Sequence, residues 1–490
     1  MHRPVSLDPL VGRDDPASRD IGRLLYRRLI RLDGSGVAKS DLAVTWGVSG
    51  DGMVYRFTLD RNARWSDGSP LRVDDVAATV AAVQTPGFPD VQLSAEWRGV
   101  SVGGGSGPTV TLTIPGPRAS FAATVADLPI LPVKALRGHT PVALIDTAAR
   151  PLPTSGPFRA VSADATLVRL EPNPWARPSP QLHTVELRLE PNDDAALHAF
   201  AAGQVDAVLA AGPAERAAAV RVAGTRLYDM LTFRFVDLLL NSRRPGLDDP
   251  AVRHAIGGAI DRRALVGRAL GGAARVQVDA IPAGVLWITD RPAEQPSPQL
   301  SARALDAAGW HPGGDGVRVR DGVPLSFTLS VPDAAPLPAV ARELRRQLGL
   351  VGIDVKLRPV AAGRFAPDVL MTEAFDMALA DWDNGPDPDV STYWRSNATP
   401  PQGANVTGLS ADPFLDQALD SLATETDVAL RQQAAQRVDQ RLADDAPAVF
   451  LYAPKVTMVV SDGLDGIRLP AAGAPADRYT TVATWYRKGG

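Results

Sequence analysis

The chain has 490 residues, 45% of them hydrophobic and 22% charged, the balance of a globular protein long enough to bury a large core. Its formal net charge is −4, so no basic field points to nucleic acid or to an anionic membrane surface. It contains no cysteine, which removes disulfides, thiolate catalysis and Cys-based metal sites together.

At about 100–200 residues per domain the length suggests roughly two to four folding units. No apolar run approaches the ~18 residues that span a bilayer. The positive charge is almost all arginine; the lysines are Lys39, Lys134, Lys356, Lys455 and Lys488. This is a compositional bias and marks no site.

In chain order, Val54-Tyr-Arg-Phe-Thr-Leu59 alternates with period two and predicts a strand. Trp65-Ser-Asp-Gly-Ser-Pro70 has the Asp-Gly chemistry of a tight turn, leading into a helix. In that helix Val73, Val76, Val80 and Val83 mark one face at helical spacing. Gly103-Gly-Gly-Ser-Gly-Pro108 reads as a hairpin loop before the strand Thr109–Ile114, because no Lys-Ser/Thr follows it and no helix opens from it, as a phosphate cradle requires. Thr184–Leu189 predicts a further strand. Asp248-Asp249-Pro250 predicts a helix start, with Asp as N-cap and Pro in the first turn, ahead of the stripe Val252, Ala255, Ile256, Ala259 and Ile260. Gly309 before Trp310 reads as a helix C-cap. Asp412-Pro413 repeats the helix opening, and Pro413 to Leu442 reads as helix with room for one break. The whole is mixed α/β, without the regular βαβ cadence of a dinucleotide fold and without an internal repeat.

Catalytic grammar is missing. There is no His-Glu-x-x-His, Gly-x-Ser-x-Gly, P-loop or helix-opening Gly-x-Gly-x-x-Gly. No two of His2, His139, His183, His198, His254 and His311 lie at i, i+3 or i+4, so these read as surface or packing histidines. The densest acidic cluster is Asp381-Trp-Asp-Asn-Gly-Pro-Asp-Pro-Asp389. A calcium loop needs Gly sixth and Glu twelfth, and here Gly comes fifth with prolines interrupting. The cluster reads as a Pro-rich turn with Asx caps or as a binding element, and both readings stand.

Seven segments in order resemble the large solute-binding proteins of the oligopeptide/dipeptide/nickel class, solute-binding protein family 5. They are Ser6-Leu-Asp-Pro9 with the stretch to Leu29; Asp41-Leu-Ala-Val-Thr-Trp46; Val54 to Leu71 with Asp74-Asp75-Val76; Thr154-Ser-Gly-Pro-Phe158 with Glu171-Pro-Asn-Pro-Trp175; Leu240-Asn241 with Leu247 to Ala264; Ala304 to Trp310; and Leu348 to Val355. These landmarks are scaffold, and they identify a fold before a ligand.

The resemblance implies an α/β fold of two lobes, periplasmic-binding-protein-like and of type II. Lobe I would be residues 1–232 plus 465–490, with 47–153 as an extra subdomain. Lobe II would be 233–464, and hinge strands would lie near 233–241 and 456–461. It implies an extracytoplasmic subunit of an ABC importer, monomeric, not an enzyme and without a cofactor. Such a subunit captures a peptide-like solute between its lobes and docks on the permease's membrane subunits. The sequence has no basic start and no apolar h-region, so the resemblance also implies an export leader, with or without a lipid anchor, outside the present sequence.

In the family an aspartate within a Trp-x-x-Asp…Asp-Pro context pairs with the ligand's amino terminus. Here the register is shifted: counting back from Pro388 reaches Asn384, counting on from Trp382 reaches Gly385, and Asp383 or Asp381 takes the role only with a shift. Val11, Gly12, Arg13 and Asp14 are expected to face the cleft from the first lobe, and Tyr393, Trp394 and Arg395 either line it or belong to the core. Other readings within the same fold are an oligosaccharide, a metal complex or another small solute. A non-transporting scaffold or regulatory relative, and an enzyme using the 381–389 carboxylates, are the readings from other classes.

Overall fold

A computed structural model describes residues 9–10, 15–104, 107–136, 152–282, 284–285, 288, 291–292 and 295–489. Val11 to Asp14 and the loop residues 105–106 lie outside the described residues.

The first part of the chain is built from small antiparallel sheets. Strands β1 (Ile30–Leu32) and β2 (Ala38–Ser40) form a hairpin. Strands β3 (Ala43–Val48), β4 (Val54–Leu59), β5 (Ser101–Gly104) and β6 (Thr109–Thr113) form a sheet in the order β3-β4-β6-β5. Alternation puts Tyr55, Phe57 and Leu59 inside from β4, and Val110 and Leu112 from β6. Helix Val73–Val83 covers them with Val76, Val80 and Val83. Its start explains the most characteristic sequence segment. Asp75 accepts from the Arg72 amide (2.8 Å) and the Trp65 indole (3.2 Å), and its other oxygen accepts from the Val133 amide (2.8 Å). Gly68, at φ 85°, closes the turn between strand and helix.

Strands β7 (Phe158–Ala163), β8 (Leu167–Pro172) and β9 (Val185–Arg188) form a third sheet on the same core. That core also takes in Met458, Val460, Ile467 and Trp485 from the end of the chain. Helix Pro16–Leu25 is fastened to the C-terminal region by a buried pair, Asp20 with Arg478.

The second part is one sheet between two helical layers. Strands β10 (Ala207–Ala210), β11 (Thr225–Leu231), β12 (Arg234–Leu240), β13 (Ala274–Val276), β17 (Ser326–Pro332), β18 (Asp354–Val360), β19 (Met377–Asp383) and β20 (Ala448–Ser461) make eight strands. A separate small sheet holds β14 (His311–Pro312), β15 (Arg318–Arg320) and β16 (Val323–Pro324). β17 runs parallel to β18 and β19, whereas β12 is antiparallel to β19. Apart from Arg234 and Asp237, β12 is apolar on both faces, as suits a doubly covered strand. Val236, Leu238 and Leu240 enter one core with helices Pro250–Ala259, Arg262–Leu270 and Leu337–Gly349. Phe233, Phe235 and Leu239 enter the other, with helices Pro413–Thr424 and Val428–Asp445. Those last two helices are the long stretch expected from the sequence. It breaks at Glu425 to Asp427, where Asp427 caps the second helix through the Leu430 amide (3.0 Å).

Strand β20 links the two parts: its residues 448–452 pair with β12, and 455–461, which pair with β11, carry Met458 and Val460 into the first core. The change of partner falls at Pro454, which has no N–H to give to either ladder. Its carbonyl accepts from the Thr232 amide and hydroxyl, both at 3.0 Å, in the short link between β11 and β12.

Candidate ligand-binding cleft

The register places the carboxyl ends of β17, β18 and β19 beside this crossing, with Arg234 opposite Asp383. In α/β sheets, ligand crevices form outside such strand ends. Among the described residues, the contacts of the first part of the chain with this side of the second include two that matter here. One is the turn between β1 and β2: Gly36 sits at φ 73°, and a Cβ there would lie 2.7 Å from the Pro386 carbonyl oxygen. Val37 beside it packs on the core that contains Phe235 and Trp394. The other is a backbone hydrogen bond from Ala119 to Ala423 (2.9 Å).

The acidic segment supplies the first of these contacts through Pro386, and most of its polar groups are spent on its own shape. Asp387 receives the Asp389 amide (2.9 Å) and pairs with Arg431 (2.7 Å), whose side chain is almost wholly buried. Asp389 receives the Ser391 amide (2.9 Å). The Asn384 amide donates to the Asp387 carbonyl (2.6 Å), so its side chain is engaged inside the turn. Gly385 supplies a positive φ of 66° and no side chain. Asp381 is held by the Arg234 guanidinium, at 3.2 Å from Nε and 2.5 Å from Nη2. Burial raises the Asp381 carboxyl above its ordinary value; Arg234 opposes this and Asp383 adds to it. Asp383 differs from the rest. It is exposed, its Oδ1 accepts only the Gly385 amide (3.2 Å), and no cation among the described residues is paired with it.

Two rings lie near Asp383. Trp382 and Tyr393 lie 4.7 Å apart between centroids, and Tyr393 meets Phe235 edge-on at 6.2 Å. The Tyr393 phenol is pushed up to about 12 by burial, then by the negative charges of Asp383 and Asp237. Trp394, by contrast, is 2% exposed and packs against Phe450, so it belongs to the core. Arg395 is turned to Asp420 on helix Pro413–Thr424. Asp381, Trp382, Asp383 and Tyr393 are thus brought together, and Trp394 and Arg395 point elsewhere.

Three residues of this end were not singled out from the sequence: Arg234, Asp237 and Tyr452. Asp237 is 0% exposed, yet it interrupts the apolar run Phe235–Leu240, and that interruption was the available signal. Tyr452 carries a buried hydroxyl without a hydrogen-bond partner among the described residues. Burial pushes its phenol up, and Asp381 adds to this while Arg234 opposes it.

The model for bacterial extracellular solute-binding proteins, family 5 Middle, matches residues 38–403, three quarters of the chain. The chain belongs to this family. Protein XP55 of Streptomyces lividans is 28% identical over 503 residues, covering 99% of this chain and 89% of that protein. The oligopeptide-binding protein AppA of Bacillus subtilis is 24% identical, covering 99% and 90%. The structure of that AppA in complex with a nonapeptide superposes with a TM-score of 0.70 over 99% of this chain and 97% of the other, at 22% identity. CtaP of Listeria monocytogenes, an ABC transporter substrate-binding protein, superposes at 0.84 over 99% and 98%, at 19% identity. At such identities the structural likeness speaks to the fold, which is the two-lobed α/β fold of family 5.

Family 5 members are extracellular binding proteins rather than enzymes, and the chemistry at this end suits capture. An exposed carboxylate beside an aromatic pair offers one charged anchor and an apolar wall. Among the described residues no group of three or more His, Asp or Glu side chains is placed to hold a metal ion, and no helix is long and apolar enough to cross a membrane.

Proposed function

We propose that this family 5 protein is the solute-receiving subunit of an ABC importer, that its solute is a peptide with a free amino end, and that Asp383 holds that end. The observation that carries the reading is the contrast within the acidic segment: Asp381 is occupied by Arg234, whereas Asp383 is exposed and, among the described residues, without a cation. A cleft that closed on an ammonium with no carboxylate partner would leave a desolvated charge uncompensated. Trp382 and Tyr393 form the wall for the adjoining side chain. The lobes move about Thr232–Phe233 and Ala453–Lys455, where β20 changes partners at Pro454. An extracytoplasmic setting and delivery to the permease's membrane subunits complete the role.

The test is calorimetric titration with tri- to nonapeptides, each also prepared N-acetylated, on the wild type and on Asp383→Asn. Binding of the free-amino set is expected, with a loss of about tenfold or more on acetylation and on Asp383→Asn. A peptide at a hundred times its Kd is expected to add about 2.7 kcal/mol of stability. Equal binding of free and acetylated peptides would remove Asp383 from the anchor role. Failure of every peptide to bind or stabilise the protein would overturn the peptide reading itself.

A further inference from the structure

Asp237 lies in the middle of β12, between Val236 and Leu238, on a strand covered on both faces. An apolar residue would serve the strand better, since a buried carboxylate is costly unless well paired. Its pairing here is minimal. The only side-chain donor reaching it among the described residues is the Trp382 indole N–H, 3.1 Å from Oδ1 and 3.3 Å from Oδ2. Asp237 lies opposite Ala380 in the ladder, so Trp382 is its diagonal neighbour on β19.

We infer that Asp237 is a positioning residue: it fixes the indole of Trp382 and thereby builds the aromatic wall of the cleft. An indole has one donor, and tying it to a buried acceptor settles both side-chain torsions of Trp382. In that pose the ring meets Tyr393 at 4.7 Å, and Tyr393 leans edge-on against Phe235, two residues from Asp237 on the same strand. The contacts return to the strand on which they start, so the wall is set before any ligand arrives. A local rule broken at a cleft is the pattern expected where function outweighs packing. Burial pushes the Asp237 carboxyl well above its ordinary value, the Trp382 hydrogen bond opposes this, and Asp381 adds to it. Both the neutral and the charged carboxyl keep an acceptor for the indole, so Asp237 acts through geometry, and charge recognition is left to Asp383. A preset aromatic wall beside an ammonium anchor favours peptides with a flat or bulky apolar side chain near the amino end. That last step rests on the peptide reading; the positioning role does not.

Near-ultraviolet circular dichroism of ligand-free protein separates the two. The Trp382 band is defined by subtracting Trp382→Phe. Asp237→Leu is expected to lose at least half of that band, and Asp237→Asn, which keeps a carbonyl acceptor, to restore most of it. With Ala-Phe-Ala and Ala-Ala-Ala as probes, Asp237→Leu is expected to lower the preference for the aromatic tripeptide by about three- to tenfold. An unchanged Trp382 band in Asp237→Leu would overturn the positioning role whatever the peptides do. An altered band with unchanged preference would overturn the selectivity step, and absence of any tripeptide binding by the wild type would count against the peptide reading alone.

Discussion

Two buried aspartates, one in each part of the molecule, are treated in opposite ways. Asp20 meets Arg478 through both terminal guanidinium nitrogens, at 2.8 Å from Nη1 with Nη2 closer still. Arg478 also donates to the Pro475 carbonyl (2.8 Å) and the Tyr479 hydroxyl (3.0 Å), and lies 4.3 Å over the Tyr479 ring. Asp237 has one indole. The first arrangement ties residues 458 positions apart in sequence and behaves as a fixed joint. The second lies beside the crossing on which the lobes are proposed to move. A buried carboxylate gripped by a guanidinium marks a place built to stay closed, and one met by a single indole marks a place arranged around something else.

The largest effect should come from making the first site resemble the second. Arg478→Met leaves Asp20 buried without its cation, and a loss of about 3–5 kcal/mol is expected in urea or thermal unfolding. Adding Asp20→Leu should recover most of it, because the penalty lies in the unpaired charge and not in the absence of a pair. A loss under about 1 kcal/mol from Arg478→Met alone would mean that the joint is no joint, and the contrast would collapse.

The next effect tests the other side. The Asp237 carboxyl is raised by burial, with Trp382 opposing and Asp381 adding. Above the unfolded value, near 3.9, the unfolded chain has released this proton while the folded chain still holds it. The folded state then binds more protons, so its stability falls as pH rises, up to the raised folded value. The cost is about 1.4 kcal/mol per pH unit of that window. Asparagine carries no such term, so the advantage of Asp237→Asn over wild type should grow with pH from about 4 upward. Taking the difference removes the background from Asp439, raised in the same direction by burial and by Asp279. A difference that stays flat from pH 4 to 8 would show that Asp237 is adequately compensated after all.

What could be read from the sequence follows the range of the interactions. Asp249 caps its helix through an amide two residues on, Asp-Gly makes the turn at 67–68, and β4 alternates with its own period. Each depends on neighbours in the chain, and each was legible. Family membership followed because Trp65, Asp75 and their surroundings are scaffold. The acidic segment drew attention through density, yet Asp387 and Asp389 cap turns and Asp381 serves Arg234, 147 residues away. Trp382 and Asp237 meet across 145 residues by strand register, which no local pattern reveals. Trp394 differs from Tyr393 only in which way the short helical turn Ser391–Trp394 faces, and the sequence spacing carries no mark of that.

Arg234 and Asp381 give the intermediate case and the smallest expected effect. The Arg234 side chain is 48% exposed, so water screens the pair and side-chain entropy offsets much of the attraction. Arg234→Gln should therefore cost less than about 1 kcal/mol of stability, well below Arg478→Met, although both remove an arginine from an aspartate. Its effect on binding is the sharper measure. If Asp383 is the anchor, releasing Asp381 changes free-amino peptide affinity by less than about threefold, because the ligand already has its carboxylate. If affinity instead rises about tenfold, Asp381 has been waiting behind Arg234, and the roles of the two aspartates must be exchanged. Because Asp381 and Asp383 are two residues apart on one strand face, only a variant that frees one without touching the other can tell them apart.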